Sequence, residues 1–282
     1  MRNPRIVPVV GVLAGLALAV GSGAAQALDP WEFEVYPYLT TPRGVLEIES
    51  LNAVVASGHQ EAGEGTSAGI FPSQGMWFNA YEFTYGLTDR IEAAGYLNFA
   101  KPGDHGYRFA GDKFRLRGQL FEQGVLPVDL GWYVELEQHV TPVFDAQRFE
   151  LELKPIIEKD IGRVSLRLNP IFEKPLGAPE GREAPGFGYA AGIYYPWHRS
   201  FSPGLEAYGG AGKNGNFEPV SNQQHYLFPV VWGVLPHGIE YNFGVGLGLT
   251  PGSDRVIVKI NIELERFIGA LFGPSPASGW LY

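Results

Sequence analysis

The strongest constraint on this chain is a two-residue alternation of apolar and polar side chains that returns in segment after segment. In Phe149-Glu150-Leu151-Glu152-Leu153-Lys154 every odd position is apolar and every even one is charged. The same dyad runs through Val164-Ser165-Leu166-Arg167-Leu168-Asn169 and Tyr81-Glu82-Phe83-Thr84-Tyr85. It returns from Val256 to Leu264, where Lys259, Asn261 and Glu263 separate apolar even positions. Successive side chains of a strand point to opposite faces, so these are strands with one greasy and one wet face.

Between 44 and 267 the pattern predicts about twelve strands, at about 44–56, 76–86, 90–100, 108–122, 128–140, 146–159, 163–174, 186–197, 203–211, 226–235, 239–250 and 254–267. Most are about 9 to 15 residues long, enough for a tilted strand to cross a bilayer. Long and short connections mostly alternate between them. Thr88-Asp89, Asp160-Ile161-Gly162 and Pro236-His237-Gly238 are tight, whereas 57–75, 175–185 and 212–225 are long. Outer-membrane barrels alternate in this way, with short turns on the periplasmic side and longer loops outside. Trp77 and Tyr85 share the outward parity of one strand and lie about 20 Å apart in projected height, near the height of an apolar membrane band. Phe187 and Trp197 bracket another strand in the same manner.

The predicted fold class is therefore all-β, a closed antiparallel transmembrane β-barrel. A soluble sandwich also alternates, but its segments seldom repeat so many large aromatics. Here 38 Phe, Tyr and Trp accompany 38 Gly and only 2 Met.

Residues 1–27 carry Arg2 and Arg5, an apolar stretch from Ile6 to Val20, and small residues ending in Ala25-Gln26-Ala27. This predicts a secretory signal peptide cleaved after Ala27, and so export to the outer membrane. Without Arg2 and Arg5, the 21 basic residues become 19 against 30 acidic ones, a net charge of −11 that argues against nucleic acid as a partner. With no Cys, neither a disulfide framework nor a thiolate metal site is available. Residues 28–43, including Trp31 to Tyr38, would make an odd thirteenth strand. They are expected instead at the periplasmic rim or inside the lumen. Residues 268–282 form a tail beyond the last strand.

If the apolar parity faces lipid, the other parity lines the lumen. Fourteen carboxylates lie there, including Glu135, Glu137, Glu150, Glu152, Glu240 and Glu263, against six bases, Lys113, Arg115, Arg117, Lys154, Arg167 and Lys259. Pairing strands about the turn at 123–127 sets Lys113 opposite Glu137 and Arg115 opposite Glu135, with Glu150 and Glu152 alongside. Two expectations follow. Either these charges neutralise one another and seal a narrow lumen, or they line an aqueous path for small polar or ionic solutes, with cations favoured by the carboxylate excess. Partners would then be outer-membrane lipid and a small solute.

No catalytic residue, metal spacing, phosphate loop or cofactor fingerprint emerges. Ser221-Asn222-Gln223-Gln224-His225, the nearest nucleophile-and-base pairing, falls in a predicted loop. The alternation of Gly244, Gly246 and Gly248 with Val245, Leu247 and Leu249 marks a strand with a bare inner face, not a nucleotide loop.

At Tyr81-Glu82-Phe83-Thr84-Tyr85-Gly86-Leu87-Thr88-Asp89-Arg90, and again at Gly246-Leu247-Gly248-Leu249-Thr250-Pro251-Gly252-Ser253-Asp254, the chain resembles the outer-membrane barrels named for the MetA pathway of phenol degradation. That resemblance spans most of the barrel. It implies a transporter-type barrel and carries over no functional residue. The functions it leaves open are a narrow channel or transporter, a non-conducting barrel whose loops bind a partner, and a lipid-modifying enzyme.

Overall fold

A computed structural model describes residues 28–61, 71–140, 149–177 and 184–264. The predicted signal peptide and the 268–282 tail lie outside the described residues. The strands are β1 (Leu46–Ser57), β2 (Trp77–Thr88), β3 (Ile91–Lys101), β4 (Arg108–Gln119), β5 (Asp129–His139), β6 (Phe149–Ile161) and β7 (Val164–Leu176). After them come β8 (Gly186–Tyr194), β9 (Ser202–Lys213), the two-residue β10 (Asn216–Phe217), β11 (Gln224–Val234), β12 (Glu240–Gly248) and β13 (Val256–Glu263).

Each long strand pairs antiparallel with its neighbours in sequence, and β1 pairs with β13 through Glu49 opposite Glu263 and Ala53 opposite Lys259. That seam closes a barrel of twelve long strands, with β10 as a small arm folded onto β9. Among the described residues every long strand is paired on both sides, which a bilayer requires because lipid cannot satisfy an unpaired backbone. Most strand ends fall within a few residues of the sequence expectation. The eighth is shorter, stopping at Tyr194, and Trp197 lies in the connection beyond it.

Burial along each strand is inverted relative to a water-soluble protein. In β4, Phe114 is 55% exposed while Arg115 beside it is 1% exposed. In β6, Phe149 and Leu153 face outward, and Glu150, Glu152 and Lys154 are buried. The outer surface is a band of exposed Tyr, Phe, Leu and Ile, as a lipid-facing wall must be.

Residues 28–43 form no thirteenth strand. They run along the lumen from the end bearing the long loops to the end bearing the tight turns. Trp31 packs edge-on against Phe78, with ring centroids 5.1 Å apart, and its indole N–H donates to the Phe99 carbonyl at 2.7 Å. At the other rim, Arg43 bridges to Gly86, and Gly44 takes a positive φ of 79° to turn the chain into β1. Along β1–β3, β9 and β11 the long-loop half of the lumen is consequently a packed core, while on the β4–β6 side Glu137, His139 and Glu150 keep it charged. Phe33 sits among Tyr208, Tyr226 and Phe228 at centroid distances of 5.3, 5.8 and 5.2 Å. The bare inner face of β12 is covered as well: a Cβ at Gly246 would lie 2.2 Å from the Phe228 ring.

Candidate functional site

The cross-strand register places Lys113 opposite Glu137 and Arg115 opposite Glu135, and it sets Glu150 and Glu152 opposite Glu137 and Glu135. Side-chain pairing departs from register. Arg115 turns away from Glu135 to contact Glu82 at 2.7 Å and Glu92 at 2.8 Å. Its guanidinium lies 5.0 Å from the Tyr36 ring and 5.4 Å from that of Tyr96. Arg117 shares Glu92, donating to it at 3.0 Å. The reason lies in reach: a long inward Arg on a curved wall can meet carboxylates beyond its register partner, Glu92 on the neighbouring β3, opposite Arg117, and Glu82 on β2, one strand further round.

The remaining inward bases are also matched. Lys113 meets Glu135 at 3.1 Å and Glu137 at 3.5 Å, Lys154 meets Glu152 at 2.8 Å, and Arg167 meets Glu158 at 3.2 Å. On the opposite wall Lys259 pairs with Glu206, whose carboxylate also accepts from Tyr194, Tyr208 and Asn242. Buried charges must be paired or hydrogen-bonded in this way, since desolvation costs several kcal/mol per ion.

The segment 28–43 completes this network, which the sequence reading did not anticipate. Asp29 contacts Lys113, and Glu32 bridges Lys154 at 2.6 Å and Lys113 at 3.3 Å. Those two ammonium groups offset the cost of burying the Glu32 carboxylate. Lys259 donates to the Phe33 carbonyl at 2.9 Å. The Tyr36 backbone N–H donates to Asn169 at 2.8 Å, and those of Tyr38 and Thr41 to Glu158 and Glu92 at 2.7 and 2.6 Å. An extended peptide with no partner strand thus finds its hydrogen bonds on side chains of the wall.

Toward the tight-turn end the lumen widens into a cavity of about 460 Å³. Glu240 and Glu263, opposite each other across β12 and β13, line it with Glu47, Glu49 and Asn242. Glu34 projects to it from the segment. It lies there beside the carboxylates of Glu49 and Glu82. A second cluster unseen in sequence lies near the other rim, where the His139 ring Nε2 is 3.3 Å from Glu150 and 3.8 Å from Glu137.

The Ser221 and His225 pairing does not form. Ser221 contacts Asn222 at 3.1 Å, while the His225 ring is held by Tyr189 at 3.1 Å and Gln223 at 2.7 Å.

An apolar outer band, a charged inner wall and a closed antiparallel sheet define a membrane β-barrel of the outer-membrane type. No protein-family model and no curated protein matches the sequence. Among solved structures, an outer membrane channel from Pseudomonas putida F1 is similar at 14% identity and a TM-score of 0.58, over 82% of this chain and 99% of that one. LpxR from Salmonella typhimurium aligns at 9% identity and a TM-score of 0.40, over 77% and 99%. A mutant Rh. blastica porin aligns at 8% and 0.30, over 78% and 98%. The first likeness is one of fold: the chain shares the barrel architecture of an outer membrane channel.

Proposed function

We propose that this chain is an outer-membrane channel for small polar or ionic solutes, closed in the conformation described by residues 28–43. The observation that carries this reading is how the segment is held. It contributes no strand, and wall side chains bind it along its length by ion pairs and hydrogen bonds, from Lys113 on Asp29 to Glu92 on Thr41. Such contacts can be exchanged for water, and releasing them would leave a polar wall leading into the tight-turn cavity. The inward excess of carboxylates then favours cations. The same reading places the chain among outer-membrane lipids after removal of its signal peptide.

Planar-bilayer recording tests it. The wild type is expected to open rarely and to small conductance. Deletion of Leu28 to Thr41 is expected to give a larger, steady, cation-preferring current. Absence of current from both proteins, or anion preference, would overturn the proposal. Current from neither is the outcome expected of a non-conducting structural barrel, a second reading favoured by the neutralised wall and the aromatic core around Phe33.

A further inference from the structure

Glu34, Glu49 and Glu82 come from three different parts of the chain: the lumenal segment, β1 and β2. Their carboxylates meet, each offering an oxygen within 4.8 Å of the others. The β1–β2 register sets Glu49 directly opposite Glu82, both inward, and Glu34 approaches across the lumen. All three border the 460 Å³ cavity.

The surroundings neutralise them only in part. Glu82 is 5% exposed; one of its oxygens accepts from Thr84 at 2.6 Å and meets Arg115 at 2.7 Å, but the other is buried with no hydrogen-bond partner. One Glu34 oxygen is buried and unpartnered as well. Arg115, the base in contact with the cluster, is already divided between Glu82 and Glu92. Three carboxylates so close at low dielectric repel one another unless they take up protons or a cation.

We propose that Glu34, Glu49 and Glu82 bind a hard divalent cation, Ca²⁺ by preference. An all-oxygen set suits Ca²⁺, Mg²⁺ or Mn²⁺ rather than a metal that seeks nitrogen or sulfur. Ca²⁺ accepts irregular geometry, bidentate carboxylates and water, and here the adjoining cavity supplies the water; Mg²⁺ demands a near-ideal octahedron. Because Glu34 rides on the segment while Glu49 and Glu82 belong to the wall, the ion would staple one to the other. That consequence rests on the channel reading; the binding itself does not.

The test uses the full mature chain folded in detergent micelles, stripped with EDTA and titrated calorimetrically with CaCl₂. One saturable site is expected. Glu34→Gln and Glu49→Gln should each weaken it by about tenfold or more, as loss of a direct ligand should cost at least what loss of an outer-shell partner does. Glu122→Gln, at an exposed turn, should leave it unchanged. Glu34 lies outside the sheet, so its variant keeps the test valid if Glu49→Gln fails to fold. No saturable heat overturns the site, as does binding that both variants retain. It is also overturned if Ca²⁺ leaves the melting temperature unmoved while Glu34→Gln raises it, since shared protons or plain repulsion then describe the cluster. In bilayers Ca²⁺ should suppress openings of the wild type and not of Glu34→Gln. Calorimetric binding without any effect on openings leaves the site standing and removes the staple. Current on deleting the segment, with no ion bound to the wild type, removes the site and its staple and leaves the channel reading standing.

Discussion

Glu32→Gln removes a negative charge from between two buried ammonium groups while keeping the shape of the side chain. In the wild type its carboxylate lies 2.6 Å from Lys154 and 3.3 Å from Lys113, and the Tyr133 hydroxyl donates to it at 3.2 Å. Removing one partner of a buried pair typically costs about 3–5 kcal/mol. The low end applies here, because Lys154 keeps Glu152 at 2.8 Å and Lys113 keeps Glu135 at 3.1 Å. About 3 kcal/mol corresponds to a shift on the order of 100-fold in the ratio of seated to released segment. Single-channel recording should therefore show open probability rising by up to that factor, with unitary conductance equal to that of the Leu28 to Thr41 deletion. Heat-dependent gel migration should confirm an intact barrel. An intact Glu32→Gln barrel with wild-type open probability, alongside a steadily conducting deletion, would refute the idea that ion pairing seats the segment.

Lys259→Met should lower the urea stability of the barrel by about 3–5 kcal/mol, since it strands the buried Glu206 carboxylate; adding Glu206→Gln should recover most of that loss. Phe33→Ala should cost segment seating about 3–5 kcal/mol, read as more frequent openings with an unchanged urea midpoint for the sheet. At Gly86 a Cβ would lie 2.0 Å from the Pro42 carbonyl oxygen, so Gly86→Ala should push the segment off the rim and speed tryptic cleavage at Arg43. Chelation with EDTA should raise the open probability of the wild type and leave Glu34→Gln unaffected.

The barrel was legible because period-two patterning is local: each strand carries its own record of which face meets lipid. Register was legible too, since the turn at 123–127 fixes which residues of β4 and β5 oppose, and Lys113 does face Glu137. Which carboxylate an arginine chooses was not legible, because Arg115 picks among three strands by reach and by the rings of Tyr36 and Tyr96 beside it. Nor could the lumen's occupant be read in detail. Trp31-Glu32-Phe33-Glu34-Val35-Tyr36 alternates like a strand, yet every neighbour in the closed sheet is already taken, so its polar groups find side chains instead. The meeting of Glu34, Glu49 and Glu82 depends on that threading and leaves no spacing signature.

The lumenal segment joins the barrel at the tight-turn rim, where Gly44 leads into β1. Spontaneous release must break its contacts together, so its rate reflects their sum. A tug from the tethered side meets them in series, beginning at Thr41 on Glu92 and ending at Asp29 on Lys113. Its resistance is set by the strongest single contact along the way. A bolt that is slow to fall out by itself can thus yield to a modest pull from one side of the membrane only.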